Sequence, residues 1–135
     1  MGTFSVDINE LVAKFGLTLL VYFGSYGTPS YRETSDIDIA FLSEQTLDGK
    51  AKLELLHDLI VVHQKSEIDL VDLRTAEPIL RCEIALKGRN LYEKEEGLFE
   101  RYSLYYIKRF YELQPVIQAE MVQIRRKIRE VVDNG

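Results

Sequence analysis

Apolar residues at Ile8, Leu11, Val12 and Phe15 keep the spacing of one helical face, with Asp7 placed to cap the helix, Glu10 three residues on, and Gly16 placed to end it. The next run, Leu17 to Phe23, is mostly apolar and partly β-branched, which predicts a buried strand that halts at Gly24. After a polar loop a second apolar run predicts a strand over 36–42. Helical spacing returns over 48–64, with Asp48 as its cap and Leu53, Leu56, Leu59 and Ile60 expected on the buried side. A strand over 67–73 follows. Pro78 suits the first turn of a third helix through Leu80, Ile84 and Leu86 to Gly88, and 90–93 reads as a short edge strand. This alternation predicts an α/β (α+β) fold: a small mixed β-sheet with helices packed on one face.

From about Glu95 the chain turns helix-forming throughout. Phe99, Tyr102, Tyr106 and Phe110 are spaced by 3, 4 and 4, so the tyrosines here read as aromatic packing. Pro115 is expected to kink or divide the segment, and Ile117, Met121, Ile124, Ile128 and Val131 then continue at 4, 3, 4 and 3. The expected organisation is a domain over 1–95 and a C-terminal helical extension over 96–135, which either folds back on that domain or forms an interface. Heptad-like gaps leave room for a homo-oligomer through these helices. The cluster Arg125, Arg126, Lys127 and Arg129 complements a helix C-terminus.

Chemistry concentrates where the first two strands meet. Gly24 lets backbone approach a ligand closely, and Ser25 adds a hydroxyl; a short helix beginning behind Ser25 would add free N–H groups and a dipole for phosphate. Asp36 and Asp38, two apart on the second strand, point to the same face with α-carbons roughly 6.7 Å apart. Two such carboxylates can converge on a pair of Mg²⁺ ions, hard cations that prefer oxygen ligands and stand about 3.5–4 Å apart in phosphoryl-transfer sites. Asp69 is the expected third carboxylate, because it interrupts an apolar strand and an unpaired buried carboxylate is costly unless it meets a metal. Asp72 is the substitute ligand. His57 and His63 have no nucleophile arranged around them and read as structural.

Composition narrows the classes. With 135 residues and 46% hydrophobic content the chain holds one core, too little for a polymerase with fingers and thumb. A formal charge of −5 argues against free nucleic acid as a direct partner. Cys82, the single cysteine, excludes a disulfide framework and reads as a small buried hydrophobe. No signal pattern opens the chain and no apolar run reaches the ~18 residues of a membrane span. The expected location is the cytoplasm, away from the membrane.

Gly24-Ser25, nine residues to Ser35, then Asp36-Ile37-Asp38 and an apolar strand resemble the minimal nucleotidyltransferases of the DNA polymerase beta superfamily. Asp69 to Leu73, a helix, and Gly88-Arg89-Asn90-Leu91-Tyr92-Glu93 extend the resemblance to about residues 8–95. It implies a palm-like nucleotidyltransferase domain with a helical tail. It also implies the role of an antitoxin encoded beside a HEPN-family ribonuclease toxin, transferring AMP from ATP to a toxin tyrosine. On that reading a hydroxyl attacks the α-phosphorus in line and pyrophosphate leaves. Asp36, Asp38 and Asp69 would be catalytic and hold two Mg²⁺ ions, for which Mn²⁺ can substitute, while Gly24 and Ser25 bind the nucleotide phosphates. The family's arginine and glycine three and four positions after the serine are here Thr28 and Pro29, leaving Arg32 as the loop cation expected to reach the triphosphate. The alternatives are transfer to a small molecule such as an aminoglycoside, and a non-catalytic antitoxin acting by occlusion.

Overall fold

The computed structural model describes residues 7–134; the first six residues of the expected 1–95 unit and the last of the extension lie outside the described residues. Helix α1 (Ile8–Phe15) is capped by Asp7, whose side chain accepts from the Asn9 N–H at 3.3 Å, and it ends on Gly16 at φ 63°, the left-handed conformation glycine adopts most readily. Strands β1 (Leu17–Phe23) and β2 (Ile37–Ser43) pair antiparallel around the long loop between them. Helix α2 (Gly49–His63) crosses over to β3 (Ile68–Asp72), which pairs with β2 in parallel. Helix α3 (Pro78–Lys87) leads into β4 (Arg89–Glu93), antiparallel to β1, so the mixed sheet runs β3-β2-β1-β4.

The two central strands are buried on both faces, and each face has its own helices. Leu20, Ile37, Ile39 and Phe41 pack against Leu11 and Phe15 of α1 and Leu55 and Leu59 of α2. The other face, Leu19, Val21, Ala40 and Leu42, is covered by Ile84 of α3 and by Phe99, Tyr102 and Tyr106 of helix α4 (Leu98–Asn134). Helical cover therefore lies on both faces rather than the one expected. A second difference concerns α2. Its buried positions are Leu55, Asp58 and Leu59, while Leu53 is 69% exposed. The helix is rotated so that Asp58 reaches Lys14 of α1 at 3.0 Å, a pair that ties the two helices together.

Helix α4 begins under the control of a distant carboxylate. Glu93, at the end of β4, accepts from the N–H groups of Gly97 at 3.0 Å and Phe99 at 3.1 Å, two of the donors a helix start leaves unpaired. These bonds hold its carboxyl below the usual range. Phe99, Tyr102 and Tyr106 of the aromatic stripe pack on the sheet as their spacing predicts. Pro115 does not divide the helix: α4 is continuous through it. The N–H that proline lacks would bond the carbonyl of Tyr111, an exposed residue whose carbonyl can turn to water. Every residue from Gln118 to Asp133 is exposed, including Met121, Val122, Ile124 and Ile128.

Candidate active site

Strand register brings the carboxylates together. Asp38 lies opposite Asp69 across the parallel β2–β3 pair and opposite Phe23 at the end of β1, and Asp36 directly precedes β2. Asp38 shares its face with Ala40 and Leu42, the face that α3 and α4 cover further along, so it stands where that cover stops. Partial burial, then the negative charges of Asp69 and Asp36, raise the Asp38 carboxyl above its ordinary value. A carboxylate held in that field is one a cation relieves.

Gly24 shows how tightly the loop is drawn against it. At φ 77° its backbone needs glycine, and a Cβ built there would fall 2.1 Å from Asp38 Oδ2. The same glycine opens a cleft of about 380 Å³, lined on the loop side by Phe23, Gly24, Ser25, Thr28 and Ser30. No helix begins behind Ser25. Residues 24–31 form consecutive turns instead, closed by Thr28 N–H to Ser25 O at 2.9 Å and Tyr31 N–H to Thr28 O at 3.1 Å, so any anion here meets loop amides and not a helix dipole.

Three of the sequence expectations for this site are corrected. Asp69 is exposed: β3 is an edge strand, and it is register with Asp38, not burial, that singles it out. Asp72 is the buried carboxylate of β3, and it is no substitute ligand. Three positions on, it points to the opposite face, where Lys52 Nζ stands 3.2 Å from Oδ2 without hydrogen-bond alignment and the Arg74 N–H donates to Oδ1 at 2.9 Å. Arg32 is exposed and does not line the cleft. The cations that do are Lys87 and Arg89, with Glu83 beside them, from the junction of α3 and β4. Their sequence signal was faint, a lysine and an arginine flanking Gly88, and only the pairing of Arg89 with Tyr22 brings them to the loop.

His63 is structural, as its sequence surroundings predict. Its Nδ1 lies 2.8 Å from the Leu59 carbonyl, so that nitrogen carries the proton, leaving Nε2 to accept from the Tyr22 hydroxyl at 2.7 Å. Burial, and then neighbouring Tyr26, push the Tyr22 hydroxyl up to about 12, which keeps it a donor. Tyr26 and Tyr31 pack beside this pair, so the aromatic group anchors the loop on the sheet face opposite the carboxylates.

Whether the carboxylates fit a metal follows from the same geometry. Among the described residues no three His, Cys, Asp or Glu side chains are already gathered into a closed cluster. The three aspartates nevertheless supply only oxygen donors, repel one another, and have no cationic partner among the described residues. That donor set suits hard divalent cations, which would draw the carboxylates inward. No described helix is long and apolar enough to cross a membrane.

The polymerase beta nucleotidyltransferase domain model matches residues 7–97. The protein adenylyltransferase MntA of Shewanella oneidensis is 39% identical over 85 residues, covering 62% of this chain and 60% of that relative's length. Among solved structures, a chain of a toxin–antitoxin complex with AMP-PNP is similar with a TM-score of 0.73 at 32% identity, over 87% of this chain and 95% of that one. A chain from the complex of tri-AMPylated S. oneidensis HEPN toxin with its MNT antitoxin gives 0.69 at 32%, over 87% and 92%. The matched segment holds Gly24, Ser25, Asp36, Asp38 and Asp69 together, and the chain belongs to the polymerase beta nucleotidyltransferase family.

Proposed function

We propose that this protein transfers AMP from ATP to a tyrosine hydroxyl of a HEPN-family toxin in the cytoplasm and so acts as its antitoxin. The observation that carries the reading is Asp38, set opposite Asp69 and pressed against Gly24, so that the carboxylates adjoin the turn whose Gly24 and Ser25 line the cleft. Family membership and the activity of the adenylyltransferase relative support it, as does the likeness to a chain from a complex of tri-AMPylated HEPN toxin with MNT antitoxin. Residues up to about 95 form the catalytic unit, and the helical extension presents the surface for the toxin.

In this mechanism the tyrosine oxygen bonds to the α-phosphorus as the bond to pyrophosphate breaks. Gly24 and Ser25 hold the outer phosphates against the loop amides. Asp36, Asp38 and Asp69 would hold the Mg²⁺ ions, which neutralise the triphosphate's charge and can be replaced by Mn²⁺. Asp69, exposed on the edge strand β3, is open to an incoming hydroxyl and takes its proton. The chain's contribution is placement of groups the reaction already contains.

The test is incubation with ATP, Mg²⁺ and a HEPN toxin, read by mass spectrometry for added AMP. Replacing Asp36 and Asp38 by Asn should slow transfer by at least ~100-fold, the scale of losing an electrostatic contact to the transition state. Calorimetry should find ATP binding only without EDTA. If the double variant protects cells from the toxin as well as the parent does, neutralisation is by occlusion and transfer is not the function.

A further inference from the structure

The loop from Gly24 to Tyr31 has no helix to stiffen it, two left-handed glycines at Gly24 (φ 77°) and Gly27 (φ 81°), and Pro29 in its middle. One side chain from a distant part of the chain crosses to it. Arg89 Nη2 donates to the carbonyl oxygens of both Gly24, at 2.9 Å, and Tyr26, at 2.5 Å. A trans peptide unit points its N–H opposite its C=O, so fixing these two carbonyls also fixes the N–H groups of Ser25 and Gly27. Neither N–H meets an acceptor among the described residues. Two unpaired amides on either side of Tyr26, with a cation bonded to the carbonyls of the same peptide units, are donors free for an anion.

The placement of Arg89 is built into the junction that precedes it. A Cβ on Gly88 would lie 2.4 Å from the Ile84 carbonyl oxygen, 2.7 Å from Val21 Cγ1 and 2.9 Å from Phe99 Cζ, so the chain leaves α3 pressed against β1. Pairing with Tyr22 then sets Arg89 level with the end of β1, next to the loop.

We propose that Arg89 is the positioning residue of the nucleotide loop: its guanidinium holds the Gly24 and Tyr26 carbonyls so that the Ser25 and Gly27 amides face the terminal phosphates of the substrate. The assignment rests on the nucleotide reading of the cleft. Arginine suits the task because the two N–H bonds of its Nη2 are held in the guanidinium plane and so reach both carbonyls in a fixed geometry. Lys87 lines the same cleft but makes no bond to the loop, which makes it the control.

The experiment compares Arg89→Gln, Arg89→Lys and Lys87→Gln by amide exchange in the nucleotide-free protein, and by kcat and KM for ATP with Mg²⁺. In Arg89→Gln, exchange at the Thr28 and Tyr31 amides that close the loop should quicken about tenfold while β1 and β2 keep their protection. KM for ATP should rise about tenfold, with a smaller change in kcat. Arg89→Lys should fall between the two, and it carries the same measurements should Arg89→Gln not fold. Lys87→Gln should leave loop exchange unchanged. Unchanged loop exchange in Arg89→Gln, quickened exchange across all strands, or full recovery by Arg89→Lys would overturn the brace. A parent protein that binds no ATP would sink the nucleotide reading instead, while the exchange data would still decide whether Arg89 holds the loop.

Discussion

Gly24→Ala isolates the contact on which the candidate site depends. At φ 77° an alanine costs roughly 1–2 kcal/mol for its left-handed backbone alone. Its Cβ would stand 2.1 Å from Asp38 Oδ2 and 3.1 Å from Cγ, against the roughly 3.5 Å of an unstrained contact. The carboxylate is the mobile end of its side chain, so it should swing aside at a further ~0.5–1.5 kcal/mol for a poorer rotamer. The sum, roughly 1.5–3.5 kcal/mol, corresponds to a melting temperature lower by about 6–14 °C. Transfer should suffer more, about 100-fold, because a displacement near 1 Å is enough to spoil alignment with a phosphorus. The discriminating assay is a double-mutant cycle with Asp38→Ala. Without the carboxylate the new Cβ meets only Asp38 Cβ, at an ordinary 3.4 Å, so Gly24→Ala should cost the backbone share alone, a coupling of ~0.5–1.5 kcal/mol. Equal melting-temperature losses in both backgrounds would show that Asp38 is not seated against the loop, and the site as drawn would fail.

Asp38 also sets a pH dependence in metal-free buffer: its folded-state pKa is raised, so its contribution to stability is complete at acid pH and declines as pH rises from the ordinary carboxylate value through the raised one. Asp38→Asn should flatten that decline in melting curves and raise stability near neutrality; an unaltered profile would mean that the field of Asp36 and Asp69 does not act on it. Lys52→Met should cost about 1–3 kcal/mol by denaturant titration, since Asp72 loses its cation but keeps the Arg74 N–H and the lysine is itself 37% exposed. A change below 0.5 kcal/mol, roughly the range of an ordinary surface substitution, would show the pair to be incidental. Ile124→Glu with Ile128→Glu should leave the circular dichroism melt of the domain in place, because both side chains are at least half exposed, and should weaken toxin association seen by light scattering. Association that persists would remove this stripe from the proposed interface.

What could be read from sequence, and what could not, divides along physical lines. Element positions follow from local signals: Asp7 and Asp48 cap, Gly16 stops, and the run from Leu17 to Phe23 has the period and β-branching of a buried strand. The pairing of Asp36 with Asp38 is legible for the same reason, since a period of two is a property of one strand. For Asp69 the apolar residues around it predict burial, whereas β3 lies at the sheet edge and only a parallel register, which no local pattern encodes, sets it opposite Asp38. The face of α2 is not legible from spacing, because Leu53, Leu55, Leu56 and Leu59 allow more than one apolar stripe, and the Lys14–Asp58 pair between helices marks the one adopted. Arg89 illustrates the remaining gap most clearly. It lies 65 positions from Gly24, in a segment whose resemblance implies only a closing strand, yet it takes two carbonyls of the loop, because Gly88 lets the chain pass close enough to β1 to deliver it. A motif identifies groups that face a substrate; the groups that hold those in place are selected by packing and register, and are found where a polar side chain spends its hydrogen bonds on a loop rather than on its own element.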